Sequence, residues 1–224
     1  MPDKKYISAS LMCADLLNLE RDIKELDRLV VDFIHIDVMD GTFVPNLTFG
    51  PDTINAIRKI TTKPLDIHFL MERPRVIIRS TELQPGDIVS IHSECKESIM
   101  ENIAFVKQKG AMFGLALNPD TEIESVRKYL SYTDVIILML IVPGFAGSTI
   151  IHGIMEKVER TRAFLDNNNF SNIMISVDGS VSCERAHYMS SLGANIFVGG
   201  TAGIFKKDKP LSETIPDFRN AIIY

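Results

Sequence analysis

The feature that most restricts this chain is an eightfold alternation of short, β-branched apolar runs with longer amphipathic segments. The runs fall at residues 6–10, 33–38, 65–69, 87–92, 112–117, 135–139, 173–177 and 196–199. Helical periodicity occupies 16–29, 52–59, 75–83, 99–109, 123–130, 154–165, 184–192 and 211–222. Such alternation favours parallel strands joined by right-handed crossovers. Eight units suit an α/β chain folded as a closed (β/α)8 TIM barrel, one domain over residues 1–224, although the pattern alone also admits a doubly wound open sheet. No linker or low-complexity stretch divides the chain. At this length about 70% of the extended-chain surface can be buried, so the core needs neither disulfides nor a structural metal.

Composition narrows the classes of partner. A net charge of −5, with no Lys/Arg run and no basic-aromatic interleaving, argues against nucleic acid. The longest apolar run, residues 135–142, is too short to span a bilayer, and no apolar segment follows the charged N-terminus, so neither a membrane helix nor a signal peptide is expected. Cys13, Cys95 and Cys183 are odd in number, far apart and without CxxC pairing, which suits a reducing cytoplasm. A homo-oligomer is compatible with the composition. An anionic small molecule would need a local site, not a global field.

In a (β/α)8 barrel the working residues sit at the C-terminal ends of strands and in the loops that follow. The second run ends His35-Ile36-Asp37-Val38-Met39-Asp40-Gly41, and strand alternation points His35 and Asp37 to one side and Ile34, Ile36 and Val38 to the other. The third run ends Asp66-Ile67-His68 and the seventh Val177-Asp178-Gly179. His35, Asp37, His68 and Asp178 thus converge on one rim as a nitrogen and oxygen set suited to one divalent Zn²⁺, Mn²⁺, Fe²⁺ or Co²⁺ ion. A lone rim histidine is ordinarily a satisfied core residue; two beside two strand-end aspartates favour a metal. Carboxylates on different strands can also approach a carbon from opposite faces, so Asp37 and Asp178 are the expected proton-transfer pair. Asp40, before Gly41, is read as a turn former. His92, also at a strand end, makes a three-histidine site conceivable but less well placed. Met12, Met39, Met71 and Met139 read as adaptable core or rim packing, not as ligands.

Three later loops carry glycine: Gly144, Phe145, Ala146 and Gly147 after the sixth run, Gly179 and Ser180 after the seventh, and Gly200 and Thr201 after the eighth. Any one of them alone suggests only a tight turn. Together, on those strands, they suggest a phosphate cradle of exposed amides. Ser10, at the end of the first run, is either a turn residue or a partner for a substrate hydroxyl.

The segments Ser10-Leu11-Met12-Cys13-Ala14-Asp15, His35 to Gly41, Phe43-Val44-Pro45-Asn46-Leu47-Thr48, Lys63 to His68, Pro143-Gly144-Phe145 and Val177-Asp178-Gly179 resemble, in order and over most of the chain, the ribulose-phosphate 3-epimerase family. The resemblance implies a (β/α)8 barrel whose His35, Asp37, His68 and Asp178 bind the divalent ion while the two aspartates exchange protons at C3 of a ketose phosphate. It further implies that Ser10 and His68 contact substrate and that Gly144, Phe145, Ala146, Gly147, Gly179, Ser180, Gly200 and Thr201 hold it, chiefly by its phosphate. Ser10 to Cys13, Asp178 to Ser180 and Gly200 to Phe205 are more similar to the allulose-6-phosphate 3-epimerase branch. D-allulose 6-phosphate to D-fructose 6-phosphate is therefore the first expected reaction and D-ribulose 5-phosphate to D-xylulose 5-phosphate the alternative. Leu140, Val142, Ala146 and Ser148 depart from the family pattern, as does Leu70, so a sugar-phosphate-binding barrel with impaired turnover is a further alternative. A decarboxylase or aldolase would need a strand-end lysine, which no run supplies.

Overall fold

The computed structural model describes residues 4–223. All eight runs are strands: β1 (Tyr6–Ser10), β2 (Phe33–Met39), β3 (Leu65–Leu70), β4 (Ile88–His92), β5 (Met112–Leu117), β6 (Val135–Met139), β7 (Met174–Asp178) and β8 (Ile196–Gly199). They pair in parallel in chain order, and β8 closes onto β1 with Tyr6 opposite Ile196. Closure excludes the open-sheet alternative.

Between and after them lie α1 (Leu19–Arg28), α2 (Pro51–Arg58), α3 (Arg75–Ser80), α4 (Ile99–Gln108), a 3₁₀ helix (Ile123–Tyr132), α5 (Glu156–Asn167), α6 (Cys183–Ser191) and α7 (Leu211–Ile223). Local chemistry sets several starts. Pro51 opens α2 at a position needing no amide donor, and Ser98 and Ser182 cap α4 and α6 by accepting from the amides of Glu101 and Arg185.

Several helical expectations shift, α3 ending at Ser80 and α5 beginning at Glu156 among them. The segment expected from residue 16 becomes helical only at Leu19, because the Asp15 carboxylate accepts from Leu17 N at 3.1 Å and Asn18 Nδ2 at 2.8 Å and holds a turn there. Residues 123–132 wind as a 3₁₀ helix that buries Ile123, Val126 and Leu130.

Alternation along the strands gives the barrel two chemistries. Ile34, Ile36 and Val38 of β2 and Leu65, Ile67 and Phe69 of β3 face outward into one apolar layer with Ile23 and Leu26 of α1 and Ile54 and Ile57 of α2. Each fully buried Ile or Leu there contributes about 1.5–3 kcal/mol, which lets the other face carry polar groups. Inside, Phe33, Ile88, Val135 and Ile196 pack the N-terminal half. Toward the C-terminal ends the same inward parity delivers Ser10, His35, Asp37, His68, His92 and Asp178.

Candidate metal and proton-transfer site

Register positions His35, Asp37, His68 and Asp178. Asp37 of β2 lies opposite His68 of β3 and His35 opposite Asp66, while β7 runs one residue beyond its expected end and carries Asp178 opposite Met139 of β6. Ring closure then brings β7 round to β2. His35 Nε2 is 3.1 Å from Asp37 Oδ1 and 3.8 Å from Asp178 Oδ2, and His68 Nδ1 is 3.4 Å from both carboxylates. One ligand atom from each of the four residues lies within 4.8 Å of all the others.

The donor set and one orphaned atom fit a divalent ion. Two imidazole nitrogens and two carboxylate oxygens suit a borderline cation. His68 Nδ1 is buried and makes no hydrogen bond, although two carboxylates are close by. A buried polar atom so placed is normally satisfied, and a cation between the four groups would satisfy it.

Electrostatics run the same way. Burial alone would push the Asp37 carboxyl up, but the His35 and His68 rings outweigh it and hold the group below the usual carboxylate range. Burial would likewise lower both imidazoles. Asp37 and Asp66 outweigh it at His35, and Asp178 and Asp37 do so at His68, so both rings lie above their ordinary value. His35 Nδ1 is 2.8 Å from Asp66 Oδ2, which also accepts from Ser8 Oγ at 2.7 Å. This partner assigns the Nδ1 proton, so Nε2, which donates to Asp37 Oδ1 at 3.1 Å, is the nitrogen that would give up its proton to a cation in the cluster.

The carboxylates of the cluster open onto a pocket. Asp37 and Asp178 line it together with Ser10, Gly144, Phe145, Ala146, Gly147, Gly179, Ser180, Gly200 and Thr201. His68 is fully buried beneath the carboxylates and is not among the lining residues. Met12, Met39 and Met139 line the pocket, whereas Met71 packs on the outer core. Asp40 accepts the amides of Thr42, Phe43 and Glu72 at 2.7–2.9 Å, the work of a turn former. His92 meets His68 from behind, Nε2 to Nε2 at 3.0 Å, and stands outside the four-residue cluster. No lysine is among the residues lining the pocket.

The departures of the β6 loop sort by burial. Leu140 is fully buried, its amide donating to Asp178 O at 2.7 Å, and Leu70 is buried at the pocket wall. Val142 is 71% exposed, and Ser148 Oγ donates to Phe145 O at 3.0 Å. The loop is tied down elsewhere: Asn46 Nδ2 donates to Gly144 O at 2.7 Å and Ser180 Oγ to Ser148 O at 2.5 Å.

Sequence reasoning passed over Asn46, Thr48 and Asp66 as site residues. Thr48 Oγ1 donates to Asp37 O at 2.5 Å and accepts Met39 N at 3.0 Å, stitching the end of β2. Asp66 was within reach of strand parity, standing two residues before His68 on the same face. Asn46 and Thr48 carry no local signal, because their partners are defined only by the folded loops.

The ribulose-phosphate 3 epimerase family model matches residues 6–205. A ribulose-phosphate 3-epimerase of Bacillus subtilis is 35% identical over 209 residues, covering 92% of this chain and 96% of that one. The Chlamydia pneumoniae protein of the same name is 37% identical, covering 86% and 84%. The chloroplastic ribulose-5-phosphate-3-epimerase of Arabidopsis thaliana is 33% identical, covering 90% and 72%. Solved barrels are similar in fold alone. KGPDC from Streptococcus mutans superposes with a TM-score of 0.66 at 14% identity over 98% of this chain and 97% of that one. A 3-hexulose-6-phosphate synthase does so with a TM-score of 0.61 at 13% identity over 97% and 99%. Sequence likeness that runs through every barrel strand, on a closed barrel whose strand ends meet in this cluster, makes the chain a member of the ribulose-phosphate 3-epimerase family and so a sugar-phosphate isomerase.

Proposed function

We propose that this protein is a metal-dependent ketose-phosphate 3-epimerase that interconverts D-ribulose 5-phosphate and D-xylulose 5-phosphate in the cytoplasm. The observation that carries the reading is the pair of carboxylates, Asp37 from β2 and Asp178 from β7, that both line the pocket beside two buried imidazoles. Asp37, kept ionised by those rings, removes the C3 proton on one face, and Asp178 returns a proton on the other. In the reverse direction the roles exchange. A bound Zn²⁺, Mn²⁺, Fe²⁺ or Co²⁺ ion would supply Lewis-acid stabilisation of the charge that develops when that proton leaves. His35, Asp37, His68 and Asp178 are its holders.

Ser10, whose hydroxyl reaches Asp37 Oδ2 at 3.3 Å, borders the reacting end of the pocket. The loops Gly144 to Gly147, Gly179–Ser180 and Gly200–Thr201 form the phosphate end, and with no Lys or Arg among the lining residues the phosphate is held by amide and hydroxyl donors. The free Cys13, Cys95 and Cys183 suit a reducing compartment.

The pentulose phosphate takes first place over the expected hexulose phosphate because the curated relatives are named for it. The hexulose reading keeps one support, that Cys13, Ser180, Thr201 and Ala202, from the motifs most similar to the allulose-6-phosphate branch, all line the pocket. Deuterium wash-in at C3 from D₂O, run on ribulose 5-phosphate and allulose 6-phosphate with and without chelator, tests both. Exchange is expected with the pentulose phosphate, to stop on chelation, and to fall about 10²–10⁴-fold in Asp178→Asn. Undiminished exchange in that variant would remove Asp178 from the chemistry, and exchange with the hexulose phosphate alone would restore the first expectation.

A further inference from the structure

Beyond His68 runs a line of polar groups with no part in the proton transfer just described, buried at His92 and partly exposed at Glu94. His68 Nε2 is 3.0 Å from His92 Nε2, and His92 Nδ1 is 3.3 Å from Glu94 Oε2. Glu94 Oε1 in turn accepts the Asn118 amide at 3.1 Å and the Thr121 hydroxyl. The turn that carries those donors is clamped by Lys157 of α5, whose buried ammonium donates to the carbonyls of Asn118, Pro119 and Thr121 at 2.9, 3.1 and 2.6 Å.

We propose that Glu94, acting through His92, fixes the tautomer of His68 and so presents the His68 Nδ1 lone pair to the divalent cation. The proposal rests on reading His35, Asp37, His68 and Asp178 as a metal site. Two ring nitrogens at hydrogen-bond distance can share only one proton, so the Nε2 atoms of His68 and His92 must be one donor and one acceptor. A carboxylate accepts only, so Glu94 requires His92 Nδ1 to carry a proton. Neutral His92 then has a bare Nε2, which requires the proton of the shared contact to belong to His68 Nε2. His68 Nδ1 is thereby left free to act as a ligand.

Both rings are fully buried, so water offers no alternative partner. Asp66 does the same for His35 in a single step. The longer relay is needed at His68 because the atom behind its ring is a second imidazole and not a carboxylate.

The geometry also says what an isosteric change does. In Glu94→Gln the amide oxygen must occupy the Oε1 position, since the Asn118 amide and Thr121 hydroxyl both donate there. The amide nitrogen then faces His92 Nδ1 as a donor and drives the His92 proton to Nε2, against His68. Glu94 and His92 are positioning residues in this scheme, touching neither substrate nor ion.

Two measurements on the whole protein decide the matter. Imidazole ¹⁵N spectra of the metal-free protein at alkaline pH, with His68 neutral, should show His92 protonated on Nδ1 in the parent and on Nε2 in Glu94→Gln, a change that a merely structural role would not produce. Zn²⁺ affinity, from competition with a chelating dye, should weaken about 10–100-fold in Glu94→Gln. His92→Leu, which removes the acceptor with an apolar side chain and serves if the first variant does not fold, should weaken it similarly. Parent-like Zn²⁺ affinity in the folded variants, or a parent His92 protonated on Nε2, overturns the relay. A parent that takes up no Zn²⁺ while His92 still answers to Glu94 overturns the metal reading instead.

Discussion

Asp66 shows how much of this site rests on groups that never meet the substrate. Its Oδ2 is shared by His35 Nδ1 and Ser8 Oγ, all three side chains being buried. Replacing Asp66 by Ala leaves two buried polar groups without an acceptor, at a cost of about 1–3 kcal/mol for each. Urea unfolding of the metal-free variant should therefore show a lower midpoint with an unchanged slope, and the chelator-competition assay should show weaker Zn²⁺ binding. At this scale the sequence was legible through parity: His35, Asp37, His68 and Asp178 are all strand-end polar residues on the inward face. Asp66 obeyed the same rule and was passed over because it lies one register lower on its strand. Glu94 had no such signal, since it stands beyond the end of β4 and reaches the cluster only through His92.

Among the elements, the end of β7 and the β6 loop are the parts whose geometry admits least change. Gly179 has φ +110°, and a Cβ built there would lie 2.6 Å from Ile141 Cγ1. Gly179→Ala should cost about 1–3 kcal/mol from overpacking, with additional strain from the left-handed backbone. A lowered Tm and a raised KM for the sugar phosphate should appear together, because Gly179 lines the pocket. Asn46→Ala, by contrast, removes one anchor of the β6 loop and no core contact, so KM should rise while Tm stays close to the parent. If Asn46→Ala leaves KM unchanged, the loop is held well enough by Ser180. Strand positions were legible almost to the residue because the buried runs are short and bounded. The start of α1 was less so, since an Asx turn at Asp15 acts within the first turn, below the resolution of a helical period, and the 3₁₀ winding of 123–132 was not legible although its start was.

For the whole molecule, buried titratable groups of opposite tendency shape stability against pH. Burial lowers His92 to about 4 from 6.5, so its contribution is complete above pH 6.5 and is lost as pH falls through 4. Glu94, held at about 2 against 4.5 because His92, Thr121 and Asn118 outweigh burial, contributes above pH 4.5 and is lost as pH falls through 2. His35 and His68 are raised, so their contribution is complete below 6.5 and is lost as pH rises through their folded values. The metal-free protein should thus be most stable near pH 6.5, falling on both sides, and His92→Leu should flatten the shallower part of the acid limb; thermal melts across pH check this. Added Zn²⁺ should raise Tm by mass action and should do so more at pH 8 than at pH 6, because protons compete for the same imidazoles. A Zn²⁺ effect independent of pH would place the ion elsewhere.

By itself the sequence determined the eightfold β–α alternation, the apolar outer face of the strands, and the identity of the four groups that meet at their ends, because alternation and strand ends are local properties of the chain. It carried the family resemblance as well, since that resides in the same contiguous motifs. Only the tertiary structure decided that β8 closes on β1, which brings Asp178 from one end of the chain beside Asp37 from the other. It alone set Asp66 behind His35, and His92 and Glu94 behind His68. Distances across a closed sheet follow from register and ring closure, which sum over all eight strands and are written in no single segment.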